Sequence, residues 1–159
     1  MKGDQQVIDF LNKALLNELT AINQYWLHYR MLDNWGVHKL AEYERKESID
    51  EMKHADRLAE RIFVLEGLPN FQALGRLRIG DSVEEILPAD LALEQEALPL
   101  LRDAIAHCEA ARDYLSRELF EDILESEEEH VDYIEKQFEL IERMGIQNYI
   151  QLNAKAAEG

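Results

Sequence analysis

The chain holds little of what makes sheets, disulfides or membrane spans. Only 7 of its 159 residues are glycine and 3 are proline, too few turn-formers for a protein of many short strands. A single cysteine, Cys108, excludes an internal disulfide and suits a reducing compartment. No apolar run approaches the roughly 18 residues that a bilayer span requires. Basic charge is scarce too: 17 Lys and Arg stand against 33 Asp and Glu, a formal net charge of −16. So acidic a chain is repelled by nucleic acid and by anionic membranes, and it attracts cations instead. The N-terminal stretch MKGDQQVIDFLNKALLNELT is amphipathic and acidic, unlike a signal peptide. The expectation is a cytoplasmic protein of one domain over residues 1–159, without nucleic-acid or membrane partners.

What the chain does have is apolar residues at helical spacing along nearly its whole length. The first helix is expected over about residues 4–34, opened by Asp4 as a cap and closed by DNWG at 33–36. A second runs from about 38 to 65 and ends at Gly67 and Pro69. The stretch GLPNFQALGRLRIGD (67–81) has weak periodicity and reads as a long connection. A third helix starts near Ser82, where Ser82 and Glu85 form a capping-box pattern, and ends near 111. Pro88 and Pro99 fall inside it and invite a bend. The fourth covers about 113–144, and a short tail helix follows in IQNYIQLNA. A short turn, a long crossover and a second short turn predict an all-α four-helix bundle with one long connection between its second and third helices.

Two of the five histidines follow a glutamate by three residues, in Glu51-Met-Lys-His54 and Glu127-Glu-Glu-His130. Position sharpens this weak pattern. Projected at 100° per residue, Glu127 and His130 fall among Phe120, Ile123, Val131, Ile134, Phe138 and Ile141. Glu51 and His54 fall among Leu40, Ala55, Leu58, Ile62 and Leu65. Glu18 interrupts the stripe of Leu11, Ala14, Leu15, Ile22, Tyr25 and Leu32, and Glu94 the stripe of Leu87, Leu91, Leu98, Leu101 and Ile105. Four carboxylates facing one another in an apolar bundle would each cost several kcal/mol unpaired. Two divalent cations balance their four charges, and two neutral imidazoles complete the set. Carboxylate-rich ligation with one imidazole per metal suits iron or manganese. Tyr25, on the face of Glu18, is placed to hydrogen-bond a ligand carboxylate, to donate an electron or simply to fill the core. Glu44 and Glu47 also lie on the inward side of the second helix, where they could hand iron toward or away from the site, though they read first as the solvated end of that face.

Met52 points away from Glu51 and His54. The first helix shows a matching second face in Leu15, Leu19, Asn23 and Trp26, so an apolar strip across both helices predicts a two-fold subunit interface. Spacing alone leaves Met52 as interface filler or as a haem ligand meeting its own symmetry mate.

With Glu18, ESIDEMKHADR, Glu94, ESEEEHVDYIE and ERMGIQNYIQLNA, the sequence resembles the bacterioferritins from Met1 to about Ala157. The resemblance implies a ferritin-like bundle that builds two-fold dimers into a 24-subunit shell. It implies oxidation of Fe(II) by O2 or H2O2 at an intrasubunit di-iron ferroxidase centre, and storage of the ferric mineral inside. One iron would take Glu18 and His54 and the other Glu94 and His130, with Glu51 and Glu127 bridging. Met52 would be the axial ligand of a haem b shared by two subunits, which passes electrons inward from a small ferredoxin. Lys46 stands where some members carry an inner-surface His, leaving Asp50 alone at that accessory position. Two other readings stay open: a di-iron or di-manganese redox enzyme acting on peroxide or an organic substrate, and a haem-binding electron carrier or helical oligomer with structural acids.

Overall fold

The computed structural model describes residues 1–155. Residues 156–159, which end the expected domain and include Ala157, lie outside the described residues. Five helices follow in order: α1 (Gln5–Asn34), α2 (His38–Val64), α3 (Val83–Ala110), α4 (Tyr114–Met144) and α5 (Ile146–Asn153). The first four form the bundle, with α1 laid along α2, α3 along α4 and α1 against α3. The short fifth helix sits against α4 and α2. Each expected helix is present, with boundaries a residue or two from those read in the sequence.

Local chemistry sets those boundaries. Asp4 caps α1, its carboxylate accepting from the Val7 N–H at 3.1 Å. Asp113 caps α4 by accepting from the Ser116 N–H at 3.0 Å and also holds Arg61 at 2.8 Å. The capping box at α3 is not formed. Ser82 makes no side-chain cap, and Glu85 reaches instead to the Asp81 N–H at 2.8 Å. Pro88 and Pro99 leave α3 unbroken. Both face solvent, where water can serve the carbonyls they strand.

The first three helices stop in one way. A residue with positive φ follows each: Gly36 (83°), Glu66 (63°) and Arg112 (58°). The next N–H then reaches five residues back, Val37 to Leu32, Gly67 to Ile62 and Asp113 to Cys108, each at 2.9 Å. This is the Schellman closure, which favours glycine at the left-handed position.

The crossover is fastened to α1 by a ladder of side chains spaced four or eight residues apart. Asn12 accepts from the Asn70 N–H at 2.8 Å, Thr20 from Gly75 at 2.8 Å, Gln24 from Arg78 at 2.9 Å and His28 from Gly80 at 3.1 Å. Gly80 has to be glycine for space. A Cβ there would stand 2.5 Å from the Ile86 backbone nitrogen.

The apolar core is split. One large cluster gathers Val7, Leu11, Leu15, Leu58, Ile62, Phe120 and Ile123, a second Leu32, Leu40, Ile86, Leu87, Ile134 and Tyr149, and Ala21, Tyr25 and Leu93 form a third, small one. Between the first two each long helix places polar residues inward. Leu15, read both in the inward stripe of Glu18 and on the outer face, belongs wholly to this core.

Arg112 is exposed and pays left-handed strain that glycine avoids. Arg112→Gly should therefore stabilise the chain by about 0.5 kcal/mol, net of the extra freedom glycine has when unfolded. A denaturation midpoint that falls for this variant would contradict the closure just described.

Candidate metal centre

Glu18 from α1, Glu51 and His54 from α2, Glu94 from α3, and Glu127 and His130 from α4 all point into the gap between the two larger apolar clusters. The structure brings all six expected residues together. One group whose ligand atoms lie within 4.8 Å of one another holds Glu18, Glu51, His54 and Glu127, and a second holds Glu94, Glu127 and His130. Glu127 belongs to both groups, while Glu51 falls in the first. His54 Nδ1 stands 3.6 Å from both Glu18 and Glu127, and His130 Nδ1 stands 3.1 Å from Glu94.

Every one of the six contributes a buried polar atom without a hydrogen-bond partner: Glu18 Oε2, Glu51 Oε1, His54 Nδ1, Glu94 Oε2, Glu127 Oε1 and His130 Nε2. Buried polar atoms are normally paired, so six orphans at one place are a strong departure from the rule. No Lys or Arg pairs with any of these carboxylates among the described residues. The donor set is therefore four carboxylates and two imidazoles, oxygen-rich and free of thiolate, which suits two iron or manganese ions. The residues fit that occupant.

Without metal the group holds protons. Burial pushes Glu127 up to about 8, and the nearby charge of Glu51 adds to this. Burial and the charge of Glu127 likewise drive Glu94 well above the carboxylate range. For His54 burial works downward, but the carboxylates of Glu127 and Glu51 that face it prevail and lift it to about 10. His130 rises to about 9 against its own burial, through Glu94 and Glu47.

Supporting side chains fix the ligands. Tyr25 is fully buried and donates its hydroxyl to Glu94, and its ring meets His130 edge-on at 5.1 Å. Burial and the charge of Glu94 hold the phenol well above its usual value, so it stays a donor. Tyr43 flanks the other side of His130 at 5.7 Å and stacks on Tyr133 at 3.5 Å.

Glu44 and Glu47 depart from the solvated reading. Neither forms a solvated end: Glu44 is 1% exposed, and Glu47 is buried 3.6 Å from His130. Sequence reading also missed Asp90 and His28, both buried. Their signal was present, since Asp90 precedes Glu94 by one turn and His28 continues the Thr20–Gln24 row.

On the outer side of α2, Met52 is 57% exposed, as expected from its angle to Glu51 and His54. It lines an apolar groove of about 360 Å³ with Ile22, Trp26, Leu27 and Ile49. The adjoining hollow adds Leu19, Phe71 and Leu74. An outward thioether between these apolar side chains leaves the groove open to an apolar occupant. Among the described residues no helix is long and apolar enough to cross a membrane.

The Ferritin-like domain family model matches residues 8–144. The chain is 48% identical over 158 residues to a bacterioferritin of Brucella melitensis, covering 99% of this chain and 98% of that one. It is 50% identical over 154 residues to a bacterioferritin of Rhodobacter capsulatus, with 97% and 96% coverage. Against a bacterioferritin of Streptomyces coelicolor the identity is 50% over 150 residues, with 94% and 90% coverage.

Metal must displace the protons held here, because only neutral imidazole and ionised carboxylate ligate. Loading the metal-free protein with redox-silent Zn(II) at neutral pH should release about two protons per chain or more, read with an indicator dye in weak buffer. His54 and His130 lose their protons only as pH rises toward 9–10, so apparent affinity should climb steadily between about pH 6 and 8. A pH-independent affinity would contradict this account.

Proposed function

The chain belongs to the bacterioferritin family, and from that premise we propose that it stores iron, taking up Fe(II) and oxidising it at the paired centre. The observation that carries the reading is the set of six buried, unpartnered ligand atoms from Glu18, Glu51, His54, Glu94, Glu127 and His130. Fe(II) is the substrate. Glu18 and His54 hold one ion, Glu94 and His130 the other, and Glu127 and Glu51 lie between them.

Two Fe(II) together supply two electrons, which a lone ion cannot. With dioxygen as acceptor, two protons are taken up and hydrogen peroxide leaves; with hydrogen peroxide as acceptor, two protons are likewise taken up, the O–O bond breaks and two waters leave. In both cases two Fe(III) result. The chain's part is geometric and electrostatic. The carboxylates favour the more highly charged product, while Tyr25 and Tyr43 hold Glu94 and His130 in place. The ferroxidase product then passes to a mineral inside a closed homo-oligomeric shell.

In this reading residues 1–159 act as one domain, two-fold dimers assemble into a shell of 24 chains, and the protein works in the cytoplasm. The strip of Trp26, Leu27, Met52, Phe71 and Leu74 is the dimer face. Met52 from each of two chains would hold haem b there, which when bound supplies a route for electrons from a small ferredoxin to the stored ferric iron. Lys46 is exposed and leaves Asp50 without a histidine beside it, so no inner-surface iron position is included.

Glu18→Ala and His130→Ala should each slow the initial rate of Fe(II) oxidation by about 10-fold or more while the helical content is kept. Wild-type rates in both variants would remove the ferroxidase assignment. Met52→Leu should abolish the haem absorption band of the purified protein and leave rapid Fe(II) oxidation intact. Size separates the alternative redox-enzyme reading, because a peroxide-consuming di-iron or di-manganese enzyme needs no shell.

A further inference from the structure

A second polar cluster lies beside the paired centre and takes no part in it. Glu44 of α2, Asp90 of α3 and His28 of α1 are all buried, with ligand atoms within 4.8 Å of one another. Asp90 sits one turn before Glu94, about 6 Å along α3, and Glu44 two turns before Glu51, about 10 Å along α2.

Its hydrogen bonds are asymmetric. Asp90 Oδ1 accepts from Gln24 at 3.0 Å and lies 2.8 Å from His28 Nδ1. His28 Nε2 faces the Gly80 backbone N–H at 3.1 Å, which can only donate. The proton of the ring is therefore on Nδ1, and His28 is a neutral donor that orients Asp90. That leaves Asp90 Oδ2 and Glu44 Oε2, both buried and both without a partner. No Lys or Arg pairs with Asp90 or Glu44 among the described residues.

We propose that Glu44 and Asp90, with His28 behind Asp90, form a third divalent-cation site of the Fe(II) and Mn(II) class beside the paired centre. The two free oxygens are the ligand atoms. His28 plays the outer part that a carboxylate plays behind a metal-bound histidine, with the roles exchanged. A doubly charged cation cancels two buried carboxylates that nothing else neutralises. Oxygen ligands with no thiolate select iron or manganese over softer metals. The rival occupant is a single proton shared by the pair: burial and the charge of Asp90 push Glu44 well up, while the neighbouring Glu44 and His28 hold Asp90 down against its own burial. A proton leaves one net negative charge in the interior, and a divalent cation leaves none. An ion here would be a cargo position next to the pair, and its existence does not depend on the redox chemistry proposed for that pair.

The test uses full-length assembled protein and Mn(II) alone. Crystals soaked to saturation and measured at the manganese edge should show an anomalous peak between Glu44 and Asp90, besides those at the paired centre. Metal analysis after gel filtration should find about three Mn(II) per chain, falling to about two in Glu44→Gln. The same loss is expected in Asp90→Asn, which guards against one variant failing to fold. Wild-type crystals with the paired centre filled and no peak at Glu44 and Asp90 would overturn the proposal and leave the proposed function standing. A metal count unchanged in both variants would overturn it as well.

Discussion

Everything in this molecule depends on keeping four carboxylates and two imidazoles dry in the middle of a helical bundle. Among the described residues no Arg or Lys relieves them, and their free atoms face one another. In the metal-free chain the conflict is reduced only by protons, held on His54, His130, Glu94 and Glu127 well above their ordinary range. Such an arrangement costs stability relative to an apolar core, and evolution keeps it only where an occupant supplies the missing charge. Two ferrous ions would do so in the function proposed above.

The fold is organised around that cost. The apolar clusters at the two ends hold the helices together, so the centre is free to be polar. Caps at Asp4 and Asp113 and three Schellman closures fix where each helix begins and ends, and so the height at which its ligands lie. The crossover is not slack either. Asn12, Thr20, Gln24 and His28 bind its backbone N–H groups along α1, bringing Gly80 against the start of α3 and setting the height of Asp90 and Glu94.

The two faces of α2 divide the labour. Its inner face supplies Glu44, Glu47, Glu51 and His54, and its outer face presents Met52 in an apolar groove shared with α1. Three positions separate Glu51 from His54, and Met52 lies between them in sequence but outside them in space. In the proposed function, metal chemistry and subunit contact are thus carried by adjacent residues without interference, because 100° per residue turns neighbours away from each other.

Much was legible beforehand. Helical periodicity, sparse glycine and the lengths of the connections were enough for the bundle, the five helices and the single crossover. The inward placement of the six candidate residues was legible as well, because a charged residue inside an apolar stripe violates the pattern that surrounds it. Periodicity tells only which face of a helix a residue shares, not what covers that face. Glu44 and Glu47 therefore read as solvated until α3 and α4 were seen to close over them, and Leu15 read as partly outward until it was found in the core. The capping box at Ser82 failed for a related reason, since the entering chain aimed the Asp81 N–H, not that of Ser82, at Glu85. His28 and Asp90 meet across 62 residues of sequence. A pattern within one helix fixed the residue types and their heights; only the packing of four helices and a crossover decided which of those residues face each other, because burial and pairing are properties of neighbours that sequence distance does not reveal.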